Sequence, residues 1–197
     1  MLTKMDKPRT LDVGCGSGIP TLELARLGQG EVIGIDIDQP ALDIFARKIK
    51  EAGLTDRVQA INCSIFDMDF PDESFDIIWC EGSIYPIGFE KGLREWKRFL
   101  KPGGHLVVHD EQGNISEKLG LVSDCGYGLI GHFLLSQNTW RREYFTPLEK
   151  LVDEFQARLT DDPKTGEELH QAREELDMFR KNPERNSSVY FIMKSQP

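Results

Sequence analysis

The sequence predicts a doubly wound α/β sheet. Short β-rich apolar runs alternate with helical patterns from one end of the chain to the other. The first of these runs leads straight into alternate glycines and then a helix. The 197 residues suffice for one sizeable core and are few for two. The expected arrangement is therefore one domain over residues 1–197, with a helical insertion at about 146–182 between the last two strands.

In order, strands are expected at Thr10 to Val13, Glu31 to Asp36, Val58 to Cys63, Phe75 to Cys80, His105 to Asp110, Leu129 to Leu135 and Ser188 to Lys194. Helices are expected near Gly18 to Leu27, Gln39 to Ala52 and Phe89 to Leu100. Pro20 fits the first turn of the first helix, where its missing N–H does no harm. Asp38 is the expected N-cap of the second, with Pro40 in its first turn. The third carries an apolar stripe at Phe89, Leu93, Trp96 and Leu100, which makes Trp96 a core residue. The pattern loosens over Ser116 to Gly128. Thr146-Pro147-Leu148-Glu149 then reads as a capping box with proline at the first helical position, and Thr165-Gly166-Glu167-Glu168 repeats the box. These boxes predict helices near Pro147 to Leu159 and Glu167 to Lys181, the second with a thin apolar line through Leu169, Ala172, Leu176 and Phe179.

The stretch Asp12-Val13-Gly14-Cys15-Gly16-Ser17-Gly18 has the wiring of a nucleotide-type cofactor site. Without side chains at Gly14 and Gly16 the backbone can turn sharply against a ligand, and the following helix points its positive end at the same spot. A dinucleotide fingerprint would need glycine at Ile19, whereas the third glycine comes one position earlier. Asp12 would repel a pyrophosphate but could meet a cationic amine. In these residues the chain resembles the class I S-adenosylmethionine-dependent methyltransferases, whose first motif reads acidic-x-G-x-G-x-G, and the resemblance runs from Arg9 to about Lys194.

That resemblance implies a Rossmann-like, three-layer α/β/α fold with a mostly parallel sheet and an antiparallel last strand. It implies S-adenosyl-L-methionine as cofactor and S-adenosyl-L-homocysteine as product. The cofactor is expected on Asp12, Gly14, Cys15, Gly16 and Gly18. Asp36, at the end of the second strand, would take the ribose hydroxyls, and Ile37 would lie against the adenine. Asp67 would accept from the adenine amino group, with Ile65 and Phe66 enclosing the base. The fourth strand ends in Trp79-Cys80-Glu81-Gly82-Ser83-Ile84-Tyr85, where a doubly wound sheet holds its ligands. Neither the N/D-P-P-Y/F motif of base aminomethylation nor a Pro-Cys nucleophile is present there. The following segment and Lys101-Pro102-Gly103-Gly104 resemble the branch that methylates small metabolites.

Methyl transfer depends mostly on positioning, which can account for about 7 kcal/mol or more of a barrier without a dedicated acid or base. If a base acts, Glu81, His109 and Glu111 are the candidates, and Glu81 also borders the cofactor. Tyr85, Trp140 and Tyr144, with Glu81, Glu111 and Glu143, could line a pocket for a cationic or amine substrate. The alternative for Trp140 and Tyr144 is that they cover the edge of the core.

A net charge of −9 argues against nucleic acid or an anionic membrane surface as partner, with Lys97, Arg98 and Lys101 as the local basic cluster. The four cysteines form no C-x-x-C pair; they read as reduced core thiols in a cytoplasmic protein, with no metal site. The resemblance also implies a cover before the first strand, for which Met1 to Lys7 is too short. A second copy of the chain closing the site, the late helices, or a late gene start are the resulting expectations. A nicotinamide oxidoreductase, a noncatalytic S-adenosylmethionine-binding protein and a protein or RNA methyltransferase are the rival readings. The early third glycine counts against the first and the acidic charge against the last.

Overall fold

The computed structural model describes residues 5–157, 163–182 and 187–197. Seven strands, β1 (Thr10–Val13), β2 (Val32–Asp36), β3 (Val58–Asn62), β4 (Phe75–Glu81), β5 (Leu100–Glu111), β6 (Tyr127–Leu135) and β7 (Ser188–Ser195), form one sheet in the order β3-β2-β1-β4-β5-β7-β6. Strand β1 pairs in parallel with both β2 and β4, and β2–β3 and β4–β5 are parallel too. The antiparallel pairing is confined to the last strands. This is the Rossmann-like arrangement expected.

The chain runs outward from β1 to β3, then returns to place β4 on the other side of β1. The β1/β4 seam is thus the switch point at which such sheets open a ligand crevice beyond their strand ends. All four β1 residues are buried, as a strand covered on both faces requires. Helices α1 (Ile19–Leu27) and α2 (Gln39–Glu51) bury Leu22, Ala25, Leu42, Phe45 and Ile49 against Val32 and Val58. Asp38 caps α2 by accepting the Ala41 N–H at 3.3 Å. Helix α3 (Phe89–Trp96) buries Phe89, Leu93 and Trp96, and a 3₁₀ turn over Lys97–Phe99 leads into β5. The basic cluster is occupied locally: Arg98 pairs with Asp72, Lys101 with Asp76, and Lys97 lies over the Tyr127 ring.

Three expectations are corrected. The loosened stretch contains a helix, α4 (Ile115–Asp124), which buries only Val122 and so shows little apolar period. Thr146 does not cap a helix. Helix α5 (Gln137–Trp140), a π-helical stretch over Arg141–Phe145 and α6 (Thr146–Ala157) follow one another, and Ser136 caps the run by accepting the Thr139 N–H at 3.2 Å. Pro147 has no N–H for the carbonyl four residues back, and the wider π turn falls where its ring needs room. Thr165 is no cap either, because α7 runs from Pro163 to Lys181.

The chain divides into two compact units. One takes in the described residues of Met1–Asp110, Asn114–Phe133 and Tyr190–Pro197; the other those of Glu111–Gly113 and Leu134–Val189. The second has its own small core of Phe145, Val152, Leu176 and Phe179, with the Phe145 and Phe179 rings stacked at 3.7 Å. Among the described residues no helix is long and apolar enough to cross a membrane.

Candidate cofactor site

The glycine loop leaves β1 with Gly14, Gly16 and Gly18 all at positive φ. Their roles differ. A Cβ on Gly14 would stand 2.1 Å from Ser83 Oγ, and one on Gly18 would stand 1.9 Å from the Phe45 ring. A Cβ on Gly16 meets nothing within 4 Å. Gly14 and Gly18 therefore let protein pack against the loop, whereas Gly16 faces open space beside the cleft. The Gly14 and Cys15 N–H groups both donate to the Ile35 carbonyl at 2.9 Å, which fastens the loop to β2.

Asp36 ends β2 and reaches back to this loop. Its Oδ2 accepts the Gly16 N–H at 2.8 Å and its Oδ1 accepts the Asp38 N–H at 2.9 Å. A carboxylate has about four acceptor sites, so two remain for a ligand. The cleft beside it has a volume of about 280 Å³. Gly14, Asp36 and Ile37 line one part, Cys63, Ser64, Ile65 and Phe66 another, and Gly82, Ser83, Tyr85 and Pro86 the rest. Ile37 is 71% exposed, Phe66 58% and Tyr85 76%, so three large apolar faces stand open at one place. Asn62 secures the Ile37 carbonyl at 3.3 Å, and Ser64 makes the turn that presents Phe66 by accepting its N–H at 3.2 Å.

Of the residues singled out in the sequence, Gly14, Asp36, Ile37, Ile65, Phe66 and Tyr85 line this cleft. Asp12 does not. It is 1% exposed, and its Oδ2 accepts the hydroxyl of the fully buried Thr21 at 2.6 Å. Burial raises its pKa to about 7; the Thr21 hydrogen bond opposes the rise, and the charges of Glu81 and Asp36 add to it. Cys15 lies buried near Gly34, its thiol pushed far up by burial. Asp67 is exposed on the Ser64 turn, outside the cleft lining. Ser83 and Thr21 have no sequence signal of their own, since the β1/β4 pairing and the turn of α1 bring them to the loop.

Glu81 ends β4, in register with His109 on β5. Its Oε2 accepts the Trp79 indole N–H at 3.2 Å, and its carboxylate also bonds the Tyr190 hydroxyl. His109 is 7% exposed and stacks on Tyr190 at 4.4 Å. Burial lowers its pKa while the Glu81 charge opposes this. Glu111, Glu143, Trp140 and Tyr144 belong to the other unit. There Trp140 donates to Ser188 Oγ at 3.0 Å and packs against the small core, and the Tyr144 hydroxyl bonds Glu175 at 3.4 Å. The Trp140 indole N–H and the Tyr144 hydroxyl thus bond within that unit.

Residues 11–108 match the family model of the methyltransferase domain. Through them the chain belongs to the methyltransferase domain family. Over 103 residues, 52% of the chain, it is 35% identical to the methyltransferase GfsG of Streptomyces halstedii, and this aligned part is 37% of that protein. Over 120 residues, 59% of the chain, it is 33% identical to the ubiquinone/menaquinone biosynthesis C-methyltransferase UbiE of Vibrio campbellii, covering 46% of that protein. The chain thus spans less than half the length of either relative. In fold it is similar to a SAM-dependent methyltransferase from Thiobacillus denitrificans in complex with S-adenosyl-L-homocysteine. The TM-score is 0.72 at 19% identity, over 97% of this chain and 86% of that one.

Proposed function

We propose that the chain binds S-adenosyl-L-methionine in the cleft beside Gly16 and passes its methyl group to a small-molecule acceptor, leaving S-adenosyl-L-homocysteine. The observation that carries this reading is the convergence of Asp36, Ile37, Ile65 and Phe66, from the ends of β2 and β3, on one cleft with Gly14 of the glycine loop, whose middle residue Gly16 is held by Asp36 and has open space where a Cβ would stand. The cleft chemistry fits the group: a carboxylate with free acceptor sites suits a ribose diol, and exposed apolar faces suit a flat base. When bound, S-adenosylmethionine supplies an electrophilic methyl on a sulfonium.

The chain's own residues hold and orient. Asp36 takes hydroxyls while fixing the loop, and Ile37 and Phe66 take the base, with Tyr85 and Pro86 closing the far wall of the cleft. Asp36 and Glu81 place carboxylates around the glycine loop, close enough to act on the buried Asp12 behind it, and such a setting favours a cationic ligand. Glu81 ends β4, directly before Gly82 and Ser83 of the cleft lining. A small-molecule acceptor is supported by the quinone-pathway name of the UbiE relative. The four free cysteines, three of them buried, suit a reducing cytoplasmic setting.

Calorimetry with S-adenosylhomocysteine tests the binding. One site should saturate, and a hundredfold excess over the Kd should add about 2.7 kcal/mol of stability. Mass spectrometry of a metabolite extract incubated with methyl-labelled donor tests the transfer. Binding of a nicotinamide dinucleotide in place of S-adenosylhomocysteine would overturn the reading.

A further inference from the structure

The sheet face beyond the cleft carries an array that cofactor binding does not use. Four neighbouring strands each contribute to it: Trp79 and Glu81 from β4, His109 from β5, Tyr190 from β7 and Phe133 from β6. Tyr190 lies in the middle. Its ring stacks on His109 at 4.4 Å and on Phe133 at 4.9 Å, with Trp79 tilted against it at 5.9 Å. Its hydroxyl reaches Glu81, which also holds the Trp79 indole N–H. Phe133 remains 47% exposed, and Trp79, Glu81 and Tyr190 are half-buried. The outcome is a row of ring faces beside one carboxylate that is fixed by neutral donors. Next along the chain, Gly82 and Ser83 already line the cofactor cleft.

Both neighbours of that carboxylate leave its charge in place. An indole N–H and a phenol O–H hydrogen-bond an anion without neutralising it, and burial keeps His109 toward its neutral form. A fixed negative charge bordered by aromatic faces attracts an organic cation and repels an anion. Resting on the reading of the neighbouring cleft as the cofactor site, we infer that this surface, formed by Trp79, Glu81, Tyr190 and Phe133, recognises the acceptor, and that the acceptor carries an amine held as its cation against Glu81. The charge recognised need not be the atom methylated.

Three probes of similar shape and different charge test this: benzylamine, benzyl alcohol and benzoate, titrated at pH 7 in the presence and absence of S-adenosylhomocysteine, with the His109 imidazole resonances as readout. Benzylamine should shift them and bind about tenfold more tightly than benzyl alcohol, and benzoate should not bind. Glu81→Gln should bring benzylamine and benzyl alcohol to within about twofold of each other, and Tyr190→Leu and Phe133→Leu should weaken benzylamine while the protein still binds S-adenosylhomocysteine. Equal affinity for amine and alcohol, or an amine preference that survives Glu81→Gln, would overturn the inference. The S-adenosylhomocysteine titration of the unaltered chain decides the cofactor reading by itself, so failure of one is distinguishable from failure of the other.

Discussion

Asp36 Oδ2 accepts the backbone N–H of Gly16 at 2.8 Å, tying the end of β2 to the middle of the glycine loop across twenty residues. The same carboxylate therefore shapes the loop and faces the cleft. Asp36→Ala should lower S-adenosylhomocysteine affinity by at least about tenfold, because a charge-assisted hydrogen bond to the loop and the ligand contacts go together. Asp69→Ala, outside the cleft lining, should leave affinity unchanged in the same calorimetric titration.

The three loop glycines should separate in their response to substitution. Gly18→Ala drives a Cβ into the Phe45 ring and Gly14→Ala drives one into Ser83, so both should lose stability, by about 1 to 3 kcal/mol from crowding alone. The Cβ of Gly16→Val meets no protein atom within 4 Å, so the substitution costs mainly its left-handed backbone, about 1 to 2 kcal/mol. It should remain folded in urea titrations and yet fail to bind S-adenosylhomocysteine.

The division between what the sequence conveyed and what it withheld follows the range of each interaction. Asp36, Ile37 and Phe66 were legible because a parallel strand ends where its apolar run ends, and its next residues must face the crevice. The Asp38 cap was legible because it acts within three residues. Tyr190 was not. It sits inside an ordinary β pattern and gains its partners only because β7 inserts between β5 and β6, an order that no local spacing encodes. Asp12 was placed correctly at a strand end, but its burial behind Thr21 depends on how α1 packs. Thr146-Pro147-Leu148-Glu149 is a genuine capping pattern overridden by a helix already running from Gln137.

Cys63 offers a reporter for occupancy. Three of the four thiols are buried, whereas Cys63 is half-exposed in the cleft lining between Ile37 and Phe66. Burial and the Asp67 charge raise its pKa, so labelling by a maleimide should be slow at pH 7 and accelerate as pH rises. Saturating S-adenosylhomocysteine should slow it several-fold, as read by intact-mass spectrometry. Cys63→Ser should remove the ligand-sensitive label altogether.

Asp12 gives the chain a pH signature opposite to that of an ordinary ion-paired carboxylate. Its pKa rises from 3.8 to about 7 on folding, chiefly through burial, so between those values the native state holds a proton that the unfolded chain has released. Stability contributed by this proton is complete below pH 4 and falls as pH climbs toward 7, by about 4 kcal/mol in all. Asp12→Asn keeps an acceptor for the Thr21 hydroxyl and carries no charge, so its stability relative to the parent should increase from pH 4.5 to 8, as urea midpoints will report. A cationic ligand group near the buried carboxylate would favour its ionised form. S-adenosylhomocysteine affinity should then strengthen between pH 6 and 8 in the parent and stay flat in Asp12→Asn. An equal pH dependence in both would show that the ligand's charge does not act on Asp12.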